Sequence, residues 1–267
     1  MNRFTKFYPK NSFLKNYIYS FFEIKFSNSN IDYLPAFPNA SITLGFFIKG
    51  GFNILNEGSI GLKDKYMLSK IALKTTWVKP IGEDIELFGV HFKPNAMSLF
   101  TNISLYNLQK RIDPTTIFDG NFDQLYQEIV KCNDSSIRFT LLEKYLLKAI
   151  KNKPNIRLNE VCEIITEQNG NSKISDISKK LNISTRTIRN DFIHNIGSSP
   201  KHFSRVIRFH YILDRILFNL PKHKSLDFAF ENGYFDQAHF INDFKYFTGY
   251  TPKHFYKENS NFRFFQF

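Results

Sequence analysis

The sequence predicts an α+β chain: an N-terminal β-barrel-like domain with trailing helices, then an all-α domain of about seven helices holding two helix-turn-helix units. Three observations carry this. Short aromatic and β-branched runs broken by Asn, Gly and Pro fill the chain from Phe4 to Pro94, as the strands of a small barrel or sandwich do. Beyond Ala96 the apolar residues recur at helical spacing. Two C-terminal stretches, 174–200 and 228–255, each hold a short apolar helix, a turn, a second amphipathic helix and a Gly-x-x-Pro stop, the layout of a helix-turn-helix.

The strands are expected in YIYSFFEIKF, SITLGFFI, KIALKTTWVKPI and IELFGVHF. Asn95 is placed to cap a first helix, AMSLFTN, and an amphipathic pair follows from Asn121 to Lys151. In the second member Leu141, Tyr145 and Ala149 recur at four-residue spacing beside Leu142, Leu146 and Ile150. That face is wide enough to pack on the barrel and meet another subunit; a purely intramolecular core helix is the other reading. Lys151 to Arg157, KNKPNIR, is charged, carries a helix-stopping proline and reads as a linker. The expected domains are therefore 1–150 and 158–267. The last residues, NSNFRFFQF, are expected to dock or to form a sticky tail.

Charge points to the partner. The formal net charge is +12, and residues 170–267 hold 15 Lys and Arg against 8 Asp and Glu. The part with the helix-turn-helix patterns thus favours a polyanion. Cys132 and Cys162 have no CxxC spacing and read as small apolar residues. The N-terminus MNRFTKFYPKNSF lacks the apolar run of a signal peptide, and no apolar stretch approaches membrane-spanning length. The expectation is a cytoplasmic protein.

In the first unit Ile174, Ile177 and Leu181 share a face, Asn182-Ile183 turns the chain, and Ser184 caps the next helix. With Ile188, Phe192 and Ile196 facing the core, Arg186, Thr187, Arg189 and Asn190 are left outside. In the second unit Leu226 to Asn232 leads, Gly233 stops it, and Asp236 caps a helix running to about Thr248. Phe240, Phe244 and Phe247 make its buried stripe; Gln237, Ala238, His239 and Asn242 stand opposite. Arg pairs with guanine, Asn with adenine, and Ala fits a thymine methyl, so these eight exposed residues are the candidates for base contacts. Ser184, Thr185, Lys201, Lys245 and Lys253 are the phosphate candidates. One helix from Pro200 to about Phe218 spans ~28 Å at 1.5 Å per residue. Recognition helices held at its ends would sit roughly one DNA turn, about 34 Å, apart.

At these residues the sequence resembles the AraC/XylS family of bacterial transcription regulators over about Ile156 to Tyr256. The resemblance rests on Ala229-x-x-x-Gly233-Tyr234-x-Asp236-Gln237-x-x-Phe240-x-x-x-Phe244-Lys245, then Gly249-x-Thr251-Pro252, Phe255 and Tyr256. Upstream, Ser184-x-x-x-Ile188-x-x-x-Phe192 with Gly197-x-Ser199-Pro200 repeats the layout. The resemblance implies two recognition helices in adjacent major grooves, joined by the long helix. Many members carry Arg where this chain has Asn190 and Asn242, which shifts readout toward adenine or weakens it. Phe228 replaces a smaller aliphatic. Pro35-Ala36-Phe37-Pro38 and Gly89-Val90-His91-Phe92-x-Pro94 resemble the β-rich sensor domain of one subgroup. That domain commonly binds an effector or dimerises.

Phe37, Phe46, Trp77 and His91 are the candidates for an effector pocket. A metal-dependent barrel enzyme would need two or three histidines, and His91 is the only one in the first 169 residues. A methyltransferase would need a reactive thiol, and Cys132 in KCNDSS lacks an electropositive setting. No catalytic residue, cofactor or metal is therefore assigned. The partners implied are double-stranded DNA, a small-molecule effector, a second copy of the chain and, for an activator, RNA polymerase, with no membrane. The alternative is a constitutive or architectural DNA-binding protein whose N-terminal domain only dimerises.

Overall fold

The computed structural model describes residues 3–27, 33–118, 121–218 and 225–258. Strands β1 (Arg3–Phe7), β2 (Ile18–Ser27), β3 (Leu34–Ala36), β4 (Ile42–Ile54), β5 (Gly58–Gly61), β6 (Tyr66–Ser69), β7 (Thr76–Phe92) and β8 (Arg111–Ile112) form one antiparallel sheet. The path runs β1-β2-β7-β4-β6-β8, with β3 on β7 and β5 on β4. The long central pair β4 and β7 holds register from Ile42↔Phe92 to Ile54↔Val78, with irregularities between Phe47 and Gly51. Such bulges add twist and let a sheet curl. It curls without closing: β1 and β8 end the path and do not pair.

Both faces of the sheet are buried, which explains the aromatic doublets. Phe21, Phe46 and Phe88 face one way, into a core shared with the helices. Their neighbours Phe22, Phe47 and Leu87 face the other, into a smaller cluster with Phe52, Ile54, Ile60, Val78 and Ile85. Alternation across the pleat sends adjacent residues to opposite sides.

Helices α1 (Phe122–Lys131) and α2 (Ser135–Lys148) cover the first face. Asp134 caps α2 by accepting from the Ser136 and Ile137 amides, and Leu142 and Leu146 are fully buried. Leu141 and Tyr145 pack against the same core. The segment after Asn95 is a single 3-10 turn, Ala96–Leu99, and not the predicted helix. Asn95 has helical dihedrals and makes no side-chain cap; its amide instead donates to Asn159 Oδ1 at 2.8 Å.

Seven α-helices follow among the described residues: α3 (Ile156–Glu167), α4 (Ile174–Leu181), α5 (Thr185–Asn195), α6 (Pro200–Phe218), α7 (Ser225–Glu231), α8 (Gln237–Thr248) and α9 (Pro252–Glu258). The loop before α3 is tied down: the Lys151 and Asn152 amides both donate to Leu99 O, and Lys151 Nζ to Ile117 O. Sheet and helices share one continuous core, with Phe37 against Phe255 and Trp77 against Tyr250. The aromatic tail, residues 259–267, lies outside the described residues.

One buried ion cluster locks α2 to the sheet. Arg138, 2% exposed, donates from Nη1 to Glu23 (3.0 Å) and Glu86 (2.6 Å) and from Nε to Ile129 O. Burial alone would raise the Glu86 carboxyl; the hydrogen bond and charge of Arg138, with Lys25 behind, outweigh it and hold the group below its ordinary range. A carboxyl depressed by folding adds stability above its unfolded value, near pH ~4.3, and that stability is lost as pH falls through the folded value. Arg138→Met should therefore destabilise the chain by about 3–5 kcal/mol near neutral pH. Urea unfolding checks this: the gap to the wild type should narrow below pH ~4, and a pH-independent gap would contradict the ionic account.

Candidate nucleic-acid interface

Each recognition helix begins as its sequence dictates. Asn182 sits in the left-handed region (φ 52°) and ends α4. Ser184 Oγ accepts from the Thr187 amide at 3.0 Å and pairs with the Thr187 hydroxyl at 2.8 Å. Asp236 Oδ1 accepts from the His239 amide at 2.7 Å. On the inner faces Ile188 and Phe192 of α5, and Phe240, Phe244 and Phe247 of α8, are buried. Arg157 grips Asp191 with two bonds (2.6 and 3.0 Å), fixing α5 against α3.

Both recognition helices pack on the same half of α6. Phe192 of α5 meets Phe203. On the α8 side Phe209 contacts Phe244 and Phe247, and Arg205 pairs with Asp243 at 2.7 Å. The predicted placement at opposite ends of α6 is therefore corrected. Phe228 of α7 meets Tyr211 of α6, and Phe247 of α8 meets both His202 and Phe209. The length of α6 does not set the spacing of the recognition helices; the packing across it does.

Arg208 joins the two units. Its Nη2 donates to Gly170 O at 2.8 Å, ahead of α4, and its Nη1 to Gly233 O at 3.1 Å, in the turn between α7 and α8. Both glycines are left-handed, φ 75° and 90°. A Cβ on Gly170 would stand 2.1 Å from Ser204 O, and one on Gly233 2.0 Å from Asn171 Oδ1.

The result is an open groove of about 1490 Å³, lined from both units by Thr185, Arg186, Arg189, Asn190, Lys201 and His239. Lys173, Arg205 and Arg208 also line it, and no carboxylate does. Arg205 and Arg208 are engaged as described. Lys173, Arg186, Arg189 and Lys201 make no ion pair among the described residues and are exposed. The remaining candidates fall outside the lining. Gln237, Ala238, Asn242 and Lys245 are exposed on α8, and Lys253 on α9. Ser184 is exposed but serves as a cap, and Thr187 is half-buried with its hydroxyl on Ser184. Sequence reasoning missed Lys173, Arg205, Arg208 and Gly170. The three-residue spacing of Arg205 and Arg208 on an apolar helix was the available signal.

A second cavity, about 170 Å³, lies within the curled sheet. Phe22, Ile24, Phe52, Ile60, Met67 and Leu87 make apolar walls, with Lys70, Lys110 and Arg111 also in the lining. Of the four pocket candidates Phe37 and His91 line it. Phe46 is stacked on Phe122 on the opposite face, and Trp77 packs on Tyr250. Burial, helped by the charge of Lys6, brings the His91 pKa down to about 3, so the ring is neutral. It stacks on Phe22 and reaches Thr43 Oγ1 at 3.0 Å. Asn39, Ser41 and His91 also line a cleft of about 570 Å³ whose far wall is Ile207, His210 and Tyr211 of α6. Among the described residues no group of His, Cys, Asp and Glu is arranged to hold a metal ion. No described helix is long and apolar enough to cross a membrane.

Two capped helix-turn-helix units around a carboxylate-free basic groove define a DNA-binding domain. Residues 177–258 match the helix-turn-helix domain family, in agreement with the two units described. Among solved structures the chain is similar to ToxT from Vibrio cholerae O395 bound to (E)-4-(8-methylnaphthalen-1-yl)but-3-enoic acid. That match has 11% identity, a TM-score of 0.50, and covers 90% of this chain and 99% of that one. ToxT from Vibrio cholerae in its P21 crystal form matches at 13% identity and TM-score 0.49, over 88% and 97% of the two chains. At such identity the likeness is one of fold, a β-rich N-terminal part followed by helices. Comparison with curated proteins gave no match.

Gly170→Ala should cost clearly more stability than Gly249→Ala. Both residues are left-handed, but nothing lies within 4 Å of a Cβ on Gly249. The backbone penalty alone is about 1–2 kcal/mol, and the clash with Ser204 O adds to it only at Gly170. Thermal unfolding of the two variants tests this; equal losses would show that the α6 junction relaxes freely.

Proposed function

We propose that the chain is a sequence-specific transcription regulator, with residues 158–267 reading DNA and residues 1–150 setting that activity through a small ligand. The groove carries the first half of this reading. Four exposed, unpaired cations and Asn190 line it beside the first turns of α5 and α6. Helix N-termini and unpaired cations suit phosphate, while Arg and Asn side chains suit base edges. Gln237, Ala238 and Asn242, exposed on α8, extend the readout set beyond the groove. Ser184, Thr185, Lys201, Lys245 and Lys253 serve the phosphates.

The cavity supports the second half. A barrel filled by its own aromatics would favour the purely dimerising alternative, whereas this sheet holds a partly open apolar pocket whose volume is comparable to that of cavities that take a benzene-sized molecule, about 150 Å³. ToxT, of the same fold, is bound in one structure to a small carboxylic acid. The wall of Asn39, Ser41 and His91 faces α6 across the cleft and gives an occupant a short route to the DNA-reading half. A second copy of the chain and, for an activator, RNA polymerase are the further partners of this reading of a cytoplasmic regulator.

Selection of bound sequences from a random DNA pool should enrich a motif with two elements; no enrichment would remove sequence specificity from the proposal. Replacing Arg186 or Arg189 by Ala should then lower affinity for that motif by about 1–3 kcal/mol per lost base contact. For the sensor half, Ile60→Phe should fill the cavity and abolish the thermal shift that small apolar acids give the wild type. A wild type that no such compound stabilises would return the constitutive reading.

A further inference from the structure

The recognition groove is not built from helix-turn-helix residues alone. Tyr106, on the 3-10 turn Leu105–Asn107 between β7 and β8, lines it beside Arg186, Arg189 and Lys201. The ring is 62% exposed, and its hydroxyl meets no donor or acceptor among the described residues. Its neighbour Leu105 is buried and wedged against the end of α5, where a Cβ on Gly197 would stand 3.2 Å from Leu105 O. Lys70, reaching from the end of β6, donates from Nζ to Leu105 O at 2.9 Å and to Leu108 O. Two carbonyls flanking Tyr106 are thus held by one ammonium, and burial lowers the pKa of that ammonium.

We propose that Tyr106 is part of the DNA-contacting surface, donating its hydroxyl to a backbone phosphate beside α5, and that Lys70 is its positioning residue. The chemistry fits. Tyrosine hydroxyls are among the neutral donors that proteins offer to phosphate oxygens. The groove around this one is cationic and contains no competing carboxylate. An exposed aromatic with an unused donor, its flanking carbonyls held by the half-buried Lys70 and its neighbour Leu105 buried, is a held presentation and not a loose surface residue. Lys70 also lines the cavity in the sheet, so the group that holds Tyr106 touches the ligand site as well. The inference rests on the DNA-binding reading and adds to it a contact from outside the matched domain.

The test uses the full chain, a duplex carrying the selected motif and an unrelated duplex, with binding measured by fluorescence anisotropy over a range of salt. Tyr106→Phe keeps the ring and removes the donor. It should weaken binding on the order of three- to tenfold, as for one neutral hydrogen bond, and equally on both duplexes. The dependence of affinity on salt should not change, because a neutral hydroxyl displaces no counterion; Lys201→Gln, by contrast, should lessen it. Lys70→Met should cause a similar loss that does not add to that of Tyr106→Phe in the double variant. Unchanged or tighter binding by Tyr106→Phe, on a duplex the wild type binds, would overturn the proposal, the tighter result showing that the residue obstructs DNA. A loss confined to the motif duplex would overturn the phosphate assignment. A wild type that binds neither duplex would sink the DNA-binding reading itself, a separate failure.

Discussion

The bond pair from Arg208 to Gly170 O and Gly233 O is the constraint on which the DNA-reading half depends. Two helix-turn-helix units are each too small to bury a complete core alone. They become one body only if both lean on α6, and the backbone turns must approach that helix closely to do so. Glycine in the left-handed region allows the approach, and leaves two carbonyls pointing at α6 that need a donor. The forked guanidinium satisfies both at once, a geometry that a lysine ammonium does not match. Arg205 repeats the device one turn earlier with Asp243 and lies over the rings of Tyr246 and Phe247.

This explains why parts of the interface were legible in the sequence and others were not. Caps and turns are local chemistry: Ser184, Asp236, Asn182 and Gly233 act where their residue types say they should. The buried stripes of α5 and α8 follow from helical period alone. The docking of α8 back onto the first half of α6 is tertiary, because it is made by contacts such as Phe209 with Phe244 and Phe247 between residues far apart in sequence. For the same reason Arg205 and Arg208 could not be told from DNA-binding arginines by type; their partners lie 38, 25 and again 38 residues away.

In the sheet the barrel-like fold was readable and the pocket only in part. Phe46 and Phe47 are adjacent and equally apolar, yet one faces α1 and the other the inner cluster. Which lines a cavity depends on register, and a one-residue slip would exchange them. Trp77 was expected as a pocket wall, but β3 pairs across its strand and Tyr250 packs on it. The ring therefore joins the sheet to the turn between α8 and α9. Asn95 likewise spends its amide on Asn159, far along the chain, and not on the local helix its sequence suggested.

The free chain gains little from the cations that remain. Arg186 stands in the first turn of α5 and Lys201 in the first turn of α6, and neither turn carries an acidic residue. Positive charge at a helix N-terminus is unfavourable by about 0.3–1 kcal/mol. Lys173 and Arg189 add like charge along the same groove, again without a carboxylate in its lining. These are costs that a surface ion pair with Asp or Glu would relieve, and the nearby acids are used elsewhere: Asp191 on Arg157, Asp243 on Arg205, Asp236 on the amide of His239. A polyanion laid in the groove would meet the cations and the helix N-termini together, and its condensed counterions would be released on contact. On the proposed reading, the same groups that weaken the free fold supply its affinity for a duplex, since they line the groove between α5 and α8 without a carboxylate among them.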